Sequence, residues 1–178
     1  DACPVVGGTS MLDRLGCRDT DGDGWSDPTT SWEAHPAGAA DAFPTEALQW
    51  RDLDGDGYGD NAQGTTPDDC PSVSGTSMLD RMGCLDTDSD GYSDPDSMWD
   101  AESGADAFID DPAQWSDFDG DGFGDNYANM SWENRNPSWP GEFRGDALNQ
   151  DACPTQEGTS WQNGMVGCPD QDGDGWYN

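Results

Sequence analysis

Five short acidic loops constrain what this chain can fold into. They follow the pattern D-x-D-x-D-G-x-x-D or a close match to it, and they begin at Asp19, Asp52, Asp86, Asp117 and Asp170. We number them first to fifth in chain order. Carboxylates on alternate residues repel one another, and they converge only where the backbone turns sharply, which the glycine at the sixth position permits. Loops of this kind are expected to fold around cations.

The overall composition supports the same expectation. The 178 residues include 38 acidic side chains, six arginines and no lysine, for a formal net charge of −32. Hydrophobic residues make up only 32%, which is too little for a chain to fold on apolar burial alone. Nine tryptophans and the regular placement of the acids argue against disorder. Because the surface repels polyanions and no stretch is long enough to span a bilayer, we expect no nucleic acid partner and no membrane insertion.

The loops belong to longer repeats of two kinds, which alternate along the chain. A units begin with "DACP" or "DDCP" and have a glycine and a cysteine shortly before the loop, whereas B units begin with "DAF" and carry "QW" there. We call the segment that precedes the loop in each unit its arm. The predicted order is A at 1–40, B at 41–67, A at 68–105, B at 106–150 with an insertion at 126–150, and A at 151–178.

The six cysteines fall in pairs with nearly constant spacing. Fifteen connectivities are possible for six cysteines, but the repeated spacing favours the local one, in which each A arm closes on itself. The predicted disulfides are Cys3–Cys17, Cys70–Cys84 and Cys153–Cys168. Disulfides of this kind indicate an oxidising, extracellular or cell-surface setting.

Aromatic residues replace these cysteines in the B arms. Phe43 and Trp50 align with the cysteine pair in the first B unit, and Phe108 and Trp115 align with it in the second. We therefore expect an aromatic contact to close each B arm, as a disulfide closes each A arm.

Regular secondary structure is expected to be sparse. In the first A arm, Ser10 and Asp13 have the spacing of a capping box and Gly16 could end a helical turn. Ser77, Asp80 and Gly83 repeat the pattern. No segment has the period of a long helix or strand. The predicted fold is a loop-rich, calcium-stabilised repeat array with short helical turns, extended as a rod.

The loop pattern matches the first nine positions of an EF-hand calcium loop. Side-chain oxygens at positions 1, 3, 5 and 9 and a backbone carbonyl at position 7 suit calcium, which takes six to eight oxygen ligands. The aromatic residue at position 7 is expected to form the small core of each unit. The predicted ligands, loop by loop, are Asp19, Asp21, Asp23, Trp25 and Asp27; Asp52, Asp54, Asp56, Tyr58 and Asp60; Asp86, Asp88, Asp90, Tyr92 and Asp94; Asp117, Asp119, Asp121, Phe123 and Asp125; and Asp170, Asp172, Asp174, Trp176 and Asn178.

The loops differ from EF-hands at the twelfth position, where the bidentate glutamate is absent. Thr30, Gln63, Ser97 and Ala128 stand there instead. We expect the missing ligand to come from the aspartate that opens the next unit and closes the site behind it. These predicted closing acids are Asp41, Asp68, Asp106 and Asp151.

The whole array resembles thrombospondin type 3 repeats. The segment "DLDGDGYGD" followed by "DDCP", between Asp52 and Pro71, is similar to that family's D-x-D-x-D-G-x-x-D-x-x-D-N-C-P pattern, with "NAQGTTP" inserted. The resemblance implies secreted or surface proteins with calcium-wrapped repeats and little regular structure. It implies at least five calcium ions here, and up to two per repeat.

The predicted function is a calcium-rigidified rod, stalk or filament subunit. The alternative is an adhesin or recognition module that uses the insertion 126–150, where several aromatic residues and the sequon at Asn129 suggest contact with ligands or attached glycans. The insertion is equally compatible with a longer loop that packs on its own rod. Enzyme function is not expected, because His35 is the only histidine and no catalytic set can be built around it.

The two ends of the array suggest either that the chain is a slice of a longer array or that copies assemble head to tail. Asp1 occupies the position of a closing acid with no loop ahead of it, and the loop ending at Asn178 has no acid following it. Head-to-tail contact between copies would complete that site, and such a contact makes a filament when its rotation does not close.

Overall fold

The computed structural model describes residues 1–132, 135–162 and 164–178. Within these ranges there is no α-helix and no β-strand. The only helical segments there are 3-10 turns at Ala101–Ser103 and Met130–Trp132, and extended residues pair only in isolated bridges such as Gly59 with Pro67. The prediction of a loop-rich chain is confirmed. No helix in the described ranges is long and apolar enough to cross a membrane.

The chain forms two compact units, Asp1–Leu85 and Asp86–Asn178. The first unit contains the first and second acidic loops, and the second unit contains the other three.

The three disulfides join the predicted pairs, Cys3–Cys17, Cys70–Cys84 and Cys153–Cys168. The helical turn predicted for the A arms is wrong, because the serine at its expected start is used differently. The Ser10 hydroxyl accepts the amide of Cys17 at 2.9 Å and donates to the carbonyl of Arg14. It therefore ties the two ends of the arm together instead of capping a helix.

The B arms are held by a paired glutamine and asparagine that the sequence analysis did not single out. The side chain of Gln49 donates to the carbonyl of Asn61 at 3.1 Å and accepts the amide of Asn61 at 3.0 Å. Gln114 and Asn126 make the same two bonds at the same distances. Both glutamines are 1% exposed. The residue before each tryptophan thus anchors the arm to the end of its own loop. A contact of Phe43 with Trp50, or of Phe108 with Trp115, stays a prediction.

The buried residues are mainly small or polar and include none of the position-7 rings, so the predicted core of position-7 aromatics is wrong. Those rings are half-buried, or exposed in the case of Trp176. A repeat with one short arm and one tight loop has no second layer to cover a large ring. Tyr92 is still packed, since it stacks on Trp115 with ring centroids 5.2 Å apart. The buried set consists mainly of cystines, alanines, serines, glutamines and aspartates.

Each of the first four loops is followed by a linker that brings the chain back to position 8 of that loop. The amide of the next unit's opening aspartate donates to the carbonyl at position 8 of the loop, at 2.8–3.0 Å, in the pairs Asp41–Ser26, Asp68–Gly59, Asp106–Ser93 and Asp151–Gly124. The linkers span 28–40, 61–67, 95–105 and 126–150, so their lengths differ widely. This is tolerated because the entropy of loop closure grows slowly with length.

The described part of the insertion 126–150 packs on itself. Tyr127 is buried, its ring meets Phe143 edge-on at 6.0 Å, and the guanidinium of Arg135 lies 4.1 Å above it. Arg135 also donates to the carbonyl of Gly141.

The sequon of the insertion lies on its outer surface. The exposed side chain of Asn129 accepts the amide and the hydroxyl of Ser131 through Oδ1.

Candidate metal centres

Every acidic loop folds around the carboxylate at its first position. In the second loop, Asp52 accepts the amide of Gly55 at 2.6 Å through Oδ1 and the amide of Gly57 at 3.0 Å through Oδ2. The other four loops make the same pair of bonds from Asp19, Asp86, Asp117 and Asp170. The glycine at position 6 has a positive φ, for example 96° at Gly57, which explains why a glycine is required there.

This turn brings the acids at positions 1, 3 and 5 together. In each loop, one carboxylate oxygen from each of the three residues lies within 4.8 Å of the others. The five triplets are Asp19, Asp21 and Asp23; Asp52, Asp54 and Asp56; Asp86, Asp88 and Asp90; Asp117, Asp119 and Asp121; and Asp170, Asp172 and Asp174. Three carboxylates at such distances repel strongly unless a cation lies between them.

Several of these oxygens are buried without a hydrogen-bond donor. At position 3, both oxygens of Asp54 and of Asp119 are in this state. At position 5, the amide of the position-7 residue donates to Oδ1, as Trp25 does to Asp23 at 2.7 Å, while Oδ2 of Asp23 has no hydrogen-bond partner. A buried acceptor without a donor is costly, and a metal ion would satisfy it.

The predicted closing acids lie against the loops behind them. All four are buried, and each accepts the amide two residues ahead through Oδ1, for example Cys153 to Asp151 at 2.7 Å. The other oxygen, Oδ2, is buried and has no hydrogen-bond partner in Asp68, Asp106 and Asp151.

Burial and the charges of the preceding loop both raise the pKa values of the closing acids. Burial is the main cause that raises the pKa of Asp151 to about 8, and the charges of Asp121, Asp119 and Asp125 in the preceding loop contribute to this rise. Burial also raises the pKa of the other closing acids, to about 7 for Asp41 and Asp106 and about 6 for Asp68, again with contributions from the loop behind.

The side chain at position 9 closes the loop by accepting the backbone amide of position 2. Asp27 accepts the amide of Thr20 at 2.9 Å, and the equivalent bond is present in all five loops. Neighbouring side chains engage the second oxygen in three loops. Arg18 contacts Asp27 at 2.9 Å, Arg51 contacts Asp60 at 3.1 Å, and Thr87 donates to Asp94.

The fourth loop differs from these three at position 9. Ser116 and the amide of Phe118 both donate to Oδ2 of Asp125, which leaves Oδ1 without a hydrogen-bond partner. Asp125 is 1% exposed, and burial raises its pKa to about 6, with contributions from Asp117 and Asp119. The fourth loop therefore offers one more free buried oxygen than the others at this position.

The fifth loop has the same internal hydrogen bonds but is more open. Asp172 and Asp174 are exposed, and the Asn178 side chain accepts the amide of Gln171 at 2.9 Å. The backbone carbonyls at position 7 stay predicted ligands in all five loops.

The donor set fits a hard cation. Each centre consists of carboxylate oxygens, without a nitrogen or sulfur ligand among the residues named above, which suits calcium or magnesium and disfavours zinc. The triplets are thus compatible with the predicted calcium sites.

Neither a protein-family model nor a curated protein sequence matches this chain.

Proposed function

We propose that this chain is a calcium-binding extracellular structural module, in which calcium ions join successive repeats into a rigidified rod, stalk or filament subunit. The three disulfides favour an oxidising environment. The resemblance to thrombospondin type 3 repeats supports the same role, which needs no catalytic residues.

The closing acids are the observation that carries this proposal. Asp151 is fully buried, and Oδ2 has no hydrogen-bond donor while it lies in the field of the fourth loop. An ionised carboxylate in this position is expensive unless a cation shares the site. Because the acid belongs to the next unit, a bound ion would link two repeats as well as fill one loop.

Calcium is the preferred ion because the sites are assembled from flexible loops with many oxygens, whereas magnesium demands a compact octahedron and keeps its waters. Without a bidentate glutamate at position 12, we expect a dissociation constant on the order of 10⁻⁴ M, as in extracellular calcium modules. At least five ions are expected, one for each loop.

Metal removal tests the proposal directly. Addition of EDTA should change the circular dichroism spectrum and enlarge the particle measured by small-angle scattering, and excess calcium should reverse both changes. Calorimetric titration of the stripped protein should give five or more calcium ions per chain. Unchanged spectra and scattering, with no binding heat, would remove calcium from the proposal.

Head-to-tail assembly is a further part of the proposal. Electron micrographs of calcium-loaded protein should show filaments, and a variant without Asp1 and Ala2 should form shorter filaments or none. Filaments that persist unchanged would exclude this joint.

A recognition role for the insertion is the second candidate. Met130, Phe143 and Leu148 are 70%, 44% and 69% exposed, so this loop presents apolar side chains to solvent. They could contact a ligand, a glycan or another copy of the chain.

A further inference from the structure

The second and fourth loops are each contacted by the disulfide arm of the following A unit. Oδ2 of Asp56 accepts the amide of Gly75 at 3.1 Å, and Oδ2 of Asp121 accepts the amide of Gly158 at 3.0 Å. Both glycines lie between the two cysteines of their arm. One oxygen of position 5 is therefore fixed by the next unit rather than by its own loop.

A second glycine of the same arm makes room for the closing acid. Gly83, with φ of 73°, lies so close to Asp68 and Asp56 that a Cβ atom there would collide with the first and touch the second. Gly167 has the same relation to Asp151 and Asp121.

The disulfide holds these two glycines in one rigid frame. Gly75 packs directly on the carbonyl of Cys84, and the amide of Thr76 donates to that carbonyl at 3.0 Å. Cys84 is 1% exposed and bonded to Cys70, two residues beyond the closing acid Asp68. The arm thus fixes the closing acid, the glycine amide and the space between them.

We call this arrangement the clamp: a glycine amide of the disulfide arm bonded to the position-5 aspartate of the preceding loop. The first and third loops lack it. Oδ2 of Asp23 and of Asp90 is buried and has no hydrogen-bond partner. The arms that follow these loops, at 41–50 and 106–115, contain neither glycine nor cysteine. The first four centres therefore fall into two classes, according to the kind of arm that follows each loop.

We propose that the disulfide arms at 68–84 and 151–168 are parts of the metal centres at 52–60 and 117–125, with Gly75 and Gly158 as positioning residues. Calcium binding by these two loops then depends on a disulfide in the next repeat, whereas the loop at 19–27 is completed by an arm without one. This inference rests on the proposed calcium function.

Site-resolved calcium titration by NMR tests the inference. The amide of the glycine at position 6 donates to the first aspartate of its own loop, so the resonances of Gly24, Gly57, Gly91, Gly122 and Gly175 each report one centre. If none of these resonances shifts with calcium in the wild-type protein, the proposed calcium function fails. If they shift but the arm variants leave the midpoints unchanged, only the clamp fails.

Gly75→Ala is the first variant, because its new Cβ collides with the Cys84 carbonyl and displaces the amide from Asp56. The calcium midpoint of a glycine is the calcium concentration at which its amide resonance has shifted halfway. The midpoint of Gly57 should rise about tenfold, which is the loss of affinity expected when a hydrogen bond to a charged group is removed. The midpoint of Gly24 should move less than about twofold. Gly158→Ala should have the same effect on Gly122 alone.

Gly8→Ala is the matched control. Gly8 packs on the carbonyl of Cys17 in the first A arm as Gly75 packs on that of Cys84. The substitution should disturb that arm equally and leave the midpoint of Gly57 unchanged. If Gly8→Ala raises the calcium midpoint of Gly57 as much as Gly75→Ala does, the effect is a general loosening of the protein, and the clamp is excluded.

The paired serine variants keep the test informative if Gly75→Ala is poorly folded. Replacing Cys70 and Cys84 with serine should raise the midpoint of Gly57 at least as much, whereas replacing Cys3 and Cys17 should not. A Gly57 midpoint that stays at the wild-type value without the Cys70–Cys84 disulfide would overturn the inference.

Discussion

The two carboxylate oxygens of a closing aspartate have different roles. One oxygen accepts a backbone amide within its own unit, as Asp68 does from Cys70 at 2.7 Å. In Asp68, Asp106 and Asp151 the other oxygen is buried and has no hydrogen-bond partner. The first bond fixes the side-chain orientation, so the free oxygen is already placed for a cation and little side-chain entropy is lost on binding. The same division applies to Asp125, the one position-9 residue described with a free buried oxygen.

Asp125→Asn should weaken the fourth centre more than Asp94→Asn weakens the third. Oδ1 of Asp125 is free to bind an ion directly, whereas Thr87 occupies both oxygens of Asp94. We expect about a tenfold rise in the calcium midpoint at Gly122 for the first variant and less than about threefold at Gly91 for the second. Equal effects in the NMR titration would contradict a direct role for Asp125.

The raised pKa values of the buried acids predict how pH affects the metal-free protein. The pKa is about 7 for Asp41 and about 8 for Asp151 in the folded state, against 3.8 ordinarily, so the folded state binds more protons than the unfolded state between those values. The free energy of unfolding should therefore be largest below about pH 4 to 5 for these groups and fall as pH rises to 8.

Urea unfolding of the metal-stripped protein at pH 5 and pH 8 measures this dependence. Calcium affinity should change in the opposite direction, because protons compete with calcium for the same oxygens. Greater metal-free stability at pH 8 would show that the buried acids are not the dominant titrating groups.

The arms show that one element can be restrained in two ways. In A arms, a disulfide and a buried serine such as Ser10 join the ends of the arm. In B arms, the glutamine before the tryptophan instead ties the arm to the backbone of the asparagine after the loop. A disulfide of this loop size contributes roughly 3 kcal/mol. The two hydrogen bonds of each glutamine contribute roughly 1–3 kcal/mol, and no reductant can break them.

Gln49→Ala should loosen the first B arm. It removes the partners of the half-buried amide and carbonyl of Asn61, which costs about 1–3 kcal/mol. Gln63→Ala is the control, because Gln63 is exposed in the same unit. Urea unfolding of the calcium-loaded proteins measures both. If Gln63→Ala destabilises as much as Gln49→Ala, the pairing is not the restraint we describe.

The insertion is tested by replacing Trp132 and Trp139 with serine. Both rings are half-buried. If the recognition role is right, calcium stoichiometry should be unchanged, while calcium-dependent assembly, followed by light scattering, or retention on a glycan array should decrease. Loss of calcium binding together with a cooperative loss of structure would instead make these rings part of the packing.

At the scale of the whole molecule, metal binding and folding are coupled. The buried residues are mainly small or polar, and the formal charge is −32, so apolar burial contributes little against repulsion. A site at a calcium concentration of 100 times its dissociation constant adds about 2.7 kcal/mol of stability. Several such sites would dominate the free energy of folding.

Asp54→Ala should show how far this coupling extends. Both oxygens of Asp54 are buried without a hydrogen-bond donor, so its loss should abolish or strongly weaken the second centre. In a repeat protein, interactions are mainly between neighbours, so the amide of Gly175 should keep its calcium midpoint within about twofold. Loss of all five glycine shifts in the NMR titration would indicate one cooperative core instead.

The sequence by itself determined the loops, the disulfides and the place of the closing acids. These features depend on local geometry, since alternate carboxylates, a glycine at position 6 and a short cysteine spacing leave few conformations to a short stretch of chain. The same local reasoning was wrong for the arms, where Ser10 has the spacing of a helix cap but bonds to Cys17 across the arm.

Only the tertiary structure decided how the repeats fit against one another. The pairing of Gln49 with Asn61, and the amide of Gly75 on Asp56, join residues 12 and 19 positions apart. Nothing in the local pattern distinguishes these residues from exposed ones of the same type, because their role follows from the neighbour that the linker brings back. The spacing of the aspartates within a loop determines where an ion can bind. The linker, which brings the next arm back against the loop, determines which residues complete the site.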